Sequence, residues 1–176
     1  MEADLETEHW YAVYTASHRE KPVAAYLLQK GLQNYLPLYE TVRQWSDRRV
    51  QLQMPLFPGY LFVHLALRDR LAVLQTPGVV RLVGAGGTPM PLVAAEIENL
   101  REGLAKVAAE PYPYTAVGQA VRVMQGPFQG MEGVLLRRKA APRVVISLKL
   151  IERSFVVDID SSLLAPIRRK PPDRKN

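Results

Sequence analysis

The sequence predicts an α+β protein made of two units: an antiparallel sheet packed with helices, followed by a small β-barrel. Three observations predict it. Between residues 9 and 109, apolar positions at helical spacing alternate with short runs of period two. At 110–118 the stretch EPYPYTAVG places two prolines in four residues and then a glycine, the composition of a linker. Beyond it only short β-branched runs remain, divided by glycine, proline and charge, which is the pattern of a small barrel. The expected divisions are 9–109, a linker at 110–117, a barrel at 118–168 and a basic tail at 169–176.

The elements follow in order. HWYAVYT, residues 9–15, is aromatic and partly alternating, as a strand requires. ASHREKPVAAYLLQKG then reads as a helix: Ser17 is a candidate N-cap, Pro22 lies in the first turn and Gly31 stands at the stop. Val23, Tyr26 and Leu27 give that helix one apolar stripe. Residues 33–43 and 49–54 alternate as strands, with Pro37 marking an edge or a bend. GYLFVHLAL is the strongest strand of this half. RDRLAVLQTPG reads as a short helix ended by Pro77-Gly78, and VVRLVG as a further strand. Ile97, Leu100, Leu104 and Val107 fall at helical spacing before Pro111. The sum is a mostly antiparallel sheet with helices on one face. In the second unit QAVRVM, EGVLLRR, RVVISLKL and SFVVDID are the barrel strands.

Composition bounds the function. With 48% hydrophobic and 23% charged residues, the 176-residue chain can bury a core. It has no cysteine, which excludes a disulfide scaffold, thiolate metal sites and a cysteine nucleophile. The acidic start MEADLETEHW is unlike a signal peptide. The uncharged run 51–67 is shorter than the roughly 20 apolar residues that span a bilayer. The expectation is a cytoplasmic protein without a membrane segment. Residues 1–100 hold 9 Lys and Arg against 10 Asp and Glu, whereas 101–176 hold 14 against 7. A basic excess confined to one part makes a polyanion a reasonable partner, and a solubilising tail, RRKPPDRKN, is the plainer account of its last nine residues.

Chemistry of the enzymatic kind is not visible. His9, His18 and His64 lack metal-ligand spacing and no nucleophile motif accompanies them. GAGGTP at 84–89 departs from G-x-G-x-x-G at Pro89 and lacks the Lys-Ser/Thr of a phosphate loop. Glu96 and Glu98 lie two apart on a helix and do not face each other. The expectation is no enzyme, no metal and no cofactor.

The run QMPLFPGYLFVHL, residues 53–65, carries the functional question. In a strand, Tyr60 and Phe62 point to one face and Leu61 and Val63 to the other, so both faces are apolar. Either helices cover both faces, or one face is kept for a partner. Trp10, Tyr11 and Tyr14 add aromatics on a neighbouring strand.

WYAVYTASHREKPVAAYL, PLFPGYLFV and TPGVVRLVG resemble, in order, the N-terminal (NGN) domain of the NusG family of transcription elongation and antitermination factors. GQAVRVMQGPFQGMEGVLLR resembles that family's KOW motif, so the likeness runs from Trp10 to Ile167. It implies an NGN α/β sandwich, a flexible linker and an SH3-like KOW barrel. It also implies an aromatic concavity for the clamp helices of bacterial RNA polymerase, here Tyr14, Phe57, Tyr60 and Phe62. Clamping would favour the elongating enzyme and suppress pausing by differential binding of two conformations. The resemblance further implies a second polymerase contact at Asp69, Arg70, Leu71 and Ala72, and contacts to non-template DNA by His18, Arg19 and Lys21. KOW loop positions Phe128, Met131 and Ile151 would meet a ribosomal small-subunit protein or Rho; only the first is aromatic, a departure from the housekeeping pattern. PLFPGYLFV and SHREK are closer to the specialised RfaH-like and UpxY-like branches, which serve particular long operons. In RfaH the second domain can fold as helices, but the β-branched runs here predict a barrel. A monomer is expected. The alternatives are the general elongation factor and a ribosome-associated RNA-binding KOW protein, which would use Arg137, Arg138, Lys139 and Arg143.

Overall fold

The structure is a computed structural model that describes residues 5–114, 118–136 and 142–167. Strand β1 (Glu8–Thr15) is an interior strand of the first unit. It pairs antiparallel with β5 (Tyr60–Ala66) over seven positions, from Glu8 opposite Ala66 to Tyr14 opposite Tyr60. With β2 (Gln33–Tyr35) and β6 (Val79–Leu82) they make a four-stranded sheet in the order β2-β5-β1-β6. Among the described residues β3 (Leu38–Gln44) and β4 (Arg49–Pro55) pair only with each other, as a separate hairpin. A second two-stranded hairpin joins β7 (Gly84–Ala85) to β8 (Thr88–Pro89), the turn that GAGGTP forms.

Helices lie on both faces of the four-stranded sheet, and this corrects the expectation of one. On one face Val23 and Leu27 of α1 (Glu20–Gln29) and Val73 of α2 (Arg70–Leu74) pack on Tyr11, Val13, Leu61 and Val63. On the other, Ile97 and Leu100 of α3 (Ala94–Leu104) pack with Trp10, Ala12 and Phe62. The period of two along β1 and β5 sorts these residues to opposite sides. Ser17 does not cap α1. The helix begins at Glu20, and Arg19 precedes it without a side-chain cap. Gly31, at φ +75°, ends it as expected, in the left-handed conformation that glycine adopts at least cost.

The second unit is a sheet of β10 (Gln119–Val123), β11 (Glu132–Leu136), β12 (Arg143–Leu148), β13 (Arg153–Asp158) and β14 (Leu164–Pro166). Its sixth strand comes from the expected linker. Ala109–Tyr112 forms β9 and pairs antiparallel with β13, from Ala109 opposite Val157 to Tyr112 opposite Ser154. Pro111 within it does not prevent this, because an edge strand needs only half of its N–H groups, and Pro113 lies beyond its end. Val107 lies beyond the end of α3, and of the linker residues 115–117 fall outside the described chain. One continuous apolar cluster runs through both units and includes Trp10, Phe57, Phe62, Phe128, Ile151 and Phe155.

Candidate functional site

Sequence and register assemble the aromatic face. The β1–β5 pairing sets Tyr14 beside Tyr60, with ring centroids 5.2 Å apart. Ala12 opposite Phe62 leaves space for the phenyl ring, which meets Phe57 edge-on at 6.2 Å. The Pro58-Gly59 turn is fixed from three sides. Tyr60 N–H donates to the Phe57 carbonyl at 2.9 Å, and Thr15 N–H donates to the Gly59 carbonyl at 2.9 Å. The Gly59 N–H donates to Glu20 Oε1 at 2.7 Å, which gives that buried carboxylate a partner. Gly59 sits at φ +84°, and a Cβ there would lie 3.2 Å from the Tyr14 ring. Glycine therefore lets the turn close on the tyrosine.

Arg101 of α3 borders this face, 5.1 Å from the Tyr35 ring centroid and 5.4 Å from that of Trp10. Burial pushes the Tyr35 phenol up to about 12, with the Arg101 charge opposing and Glu98 adding to the rise. Tyr35 is therefore neutral at any physiological pH, and it stacks on Phe62 at 6.4 Å.

The face is covered by the barrel. Phe57 is 1% exposed and Phe62 is fully buried. Phe155 of β13 meets Phe57 at 5.9 Å, Phe128 meets Phe155 at 5.6 Å, and the Arg153 guanidinium lies 5.1 Å from the Tyr60 ring centroid. Phe128, expected to meet a partner, follows Gly126-Pro127 and is only 1% exposed. Met131 and Ile151 are buried as well. The physical reason is mutual: two apolar surfaces in one chain leave water by covering each other. Gly103 of α3 makes the fit possible, since a Cβ there would fall 2.2 Å from a Phe128 ring carbon. Asn99 Nδ2 donates to the Gln129 carbonyl at 2.9 Å beside it. Phe128 itself holds φ at +68°, uncommon for a bulky residue, and this conformation belongs to the turn that carries its ring.

The other expected positions lie apart from this face. Asp69, Arg70 and Leu71 are exposed and Ala72 is half-buried, at the start of α2. His18, Arg19 and Lys21 are exposed around the entry to α1, with His18 at φ +60°. Lys21 Nζ donates to the Gln53 carbonyl of β4 at 2.6 Å. A cleft of about 260 Å³ joins this loop to the covered face, lined among others by Tyr14, Ser17, His18, Tyr39, Met54 and Arg153. Arg143 is held by Asp158 at 2.9 Å and Glu110 at 3.5 Å, while Arg137, Arg138 and Lys139 lie outside the described residues. Among the described residues no group of three or more His, Asp or Glu is placed to hold a metal ion, and no helix is long and apolar enough to cross a membrane. Sequence reasoning did not find Glu20, Gly103, Arg153 or Phe155. A glycine inside a helical pattern was a signal for the second; the others gave none.

Known proteins share this arrangement. The family described as "Transcription termination factor nusG" matches residues 8–101. The transcription termination/antitermination protein NusG of Thermus thermophilus is 31% identical, across 87% of this chain and 95% of its own. That of Deinococcus radiodurans is 30% identical, across 89% and 97%. A solved structure described as "Domain interaction in Thermotoga maritima NusG" superposes with a TM-score of 0.56 at 23% identity, across 92% and 98%. With the sheet, the helices and the barrel in the family's order, this chain belongs to the NusG family of transcription termination/antitermination factors.

Proposed function

We propose that the protein binds the clamp helices of bacterial RNA polymerase through Tyr14, Phe57, Tyr60 and Phe62. Bound there, it suppresses pausing and promotes processive transcription of particular long operons. Asp69 to Ala72 make the second polymerase contact, and His18, Arg19 and Lys21 meet the non-template DNA strand. The observation that supports this most is the aromatic face itself. Its neighbours across the sheet are closed by helices of the same unit, whereas Phe57 and Tyr60 meet Phe155 and Arg153 of the barrel. A removable cover on an aromatic surface suits a site that is used part of the time. Binding polymerase then requires the barrel, taken as residues 118–168, to leave, and the same step frees Phe128, Met131 and Ile151 for Rho or a ribosomal protein. The protein acts as a monomer in the cytoplasm. The pairing of Arg143 with two carboxylates weighs against the reading as a ribosomal RNA-binding protein.

The test is co-elution of the full chain with core RNA polymerase. Gly103→Ala, which wedges the barrel away, is expected to increase retention over wild type, and Tyr60→Ser added to it is expected to abolish retention. If Gly103→Ala, Tyr60→Ser and wild type all fail to co-elute, the clamp reading falls.

A further inference from the structure

We infer that the β3–β4 hairpin is an arm that carries single-stranded DNA, with Trp45 as its stacking platform. The hairpin pairs over seven positions, from Leu38 opposite Pro55 to Gln44 opposite Arg49, and among the described residues joins no other sheet. At its tip Trp45 is 52% exposed, an unusual position for so large an apolar group. Trp45 N–H donates to the Arg48 carbonyl at 2.8 Å, which closes the turn. The Arg48 guanidinium lies 5.7 Å from the indole centroid. Arg43, Arg48 and Arg49 are all exposed, and among the described residues no carboxylate pairs with any of them.

The register turns these groups into a track. Tyr39 lies opposite Met54, Thr41 opposite Leu52 and Arg43 opposite Val50, all on one face of the ribbon. Trp45 and Arg48 close the next step. At about 3.4 Å per residue, Tyr39 and Trp45 are roughly 20 Å apart along the strand. One face therefore offers the exposed Trp45 ring at the tip, Arg43 and Arg48 beside it, and at the foot the half-buried Tyr39, whose ring packs on the apolar cluster. The opposite face carries Glu40, Val42, Gln44, Arg49, Gln51 and Gln53, all exposed, with Arg49 Nε donating to Gln44 Oε1 at 3.3 Å, so Arg49 lies off the track.

Unpaired bases stack on aromatic rings, and their phosphates need cations that are not already neutralised. A duplex hides its base faces, so the same groups fit it poorly. The choice of DNA over RNA rests on the reading proposed above for His18, Arg19 and Lys21. Tyr39 and Met54, at the foot of the track, line the cleft that also holds His18, and Lys21 is bonded to Gln53 of β4. The track and the loop thus form one path.

The full chain is titrated with a fluorescein-labelled twelve-nucleotide single-stranded DNA, the RNA of the same sequence and the corresponding duplex, each at two salt concentrations. Binding to the single DNA strand is expected to be tightest, with quenching of tryptophan emission that reports Trp45, because Trp10 is 3% exposed. Trp45→Ala is expected to weaken binding about tenfold and Trp45→Phe to restore most of it. Replacing Arg43 and Arg48 together with alanine lowers the slope of log affinity against log salt by about 1.4. Unchanged affinity in Trp45→Ala overturns the proposal, as does tighter binding of RNA, of duplex or of an oligoglutamate competitor. DNA affinity is read by this titration and the polymerase contact by co-elution, so either reading can fail without the other.

Discussion

The two faces of β5 are equally apolar but closed in different ways. Leu61 and Val63 are covered by α1 and α2, helices that follow β1 and β5 closely in the chain. Tyr60 and Phe62 look toward Phe57, α3 and a barrel whose nearest ring, Phe155, is more than ninety residues further on. Hydrophobicity is the same on both sides; what differs is how easily the cover is lost. Opening the first face means unfolding the unit. Parting the two folded units would free Phe57 and Tyr60 from Phe155 and Arg153 and leave Phe62 under α3, and on the reading proposed above that freed edge is what a partner meets.

The largest effect that tests this contrast is on the permanent face. Leu61→Ala removes a fully buried side chain from between β5 and the helices. It is expected to cost about 2–5 kcal/mol of stability, read as an earlier urea midpoint. Its radius of gyration below the transition should match wild type. Expansion without loss of stability would show that Leu61, too, lies under a removable cover.

Next comes the hinge of the other face. Gly103→Ala places a methyl where the Phe128 ring sits, and inside the helix it should gain about 0.5–1 kcal/mol of helical propensity. The expected result is a chain that is more extended by small-angle scattering while its α3 is at least as stable. An unchanged scattering profile would mean that Phe128 yields and the units stay together.

How far the sequence reveals these features depends on range. Strand alternation and helical stripes identified most elements, because each is decided by neighbours a few residues away, whereas the set Tyr14, Phe57, Tyr60 and Phe62 came from the resemblance to the NusG family. The docking was not. Nothing local in EPYPYTAVG announces that Ala109–Tyr112 pairs with β13, since that bond is made with residues some forty positions on. Burial of Phe128 was equally hidden, because a turn that follows Gly-Pro looks exposed until Gly103 and Phe155 are placed opposite it. The failed cap at Ser17 was hidden for the same reason: the helix starts later, at Glu20, whose carboxylate accepts from the distant Gly59 amide.

A smaller effect is expected at Arg153, whose guanidinium caps Tyr60 at the rim of the covered face. Arg153 is exposed, so the interaction is worth on the order of 0.5–1 kcal/mol. Arg153→Ala should raise the open population a few-fold, measured as faster proteolytic cleavage between the units, and leave the urea midpoint nearly in place. No change in cleavage would assign the closed state to the apolar contacts alone.

The smallest effect is expected from Glu96, which shares a cleft with Lys149 of the barrel. Partial desolvation raises its carboxyl above the ordinary value, with Lys149 opposing. A group raised in the closed state favours that state when protonated, so this contribution is fully present below the ordinary glutamate value of 4.5 and fades as pH climbs past the raised one. Acidification into that range should therefore slow cleavage between the units slightly, and Glu96→Gln should remove the dependence while keeping the closed state. The side chain is largely exposed, which limits the effect to a small fraction of that of Gly103→Ala. A dependence of the opposite sign would mean that attraction between Glu96 and Lys149 outweighs desolvation, making the rim of the closed state electrostatic as well as apolar.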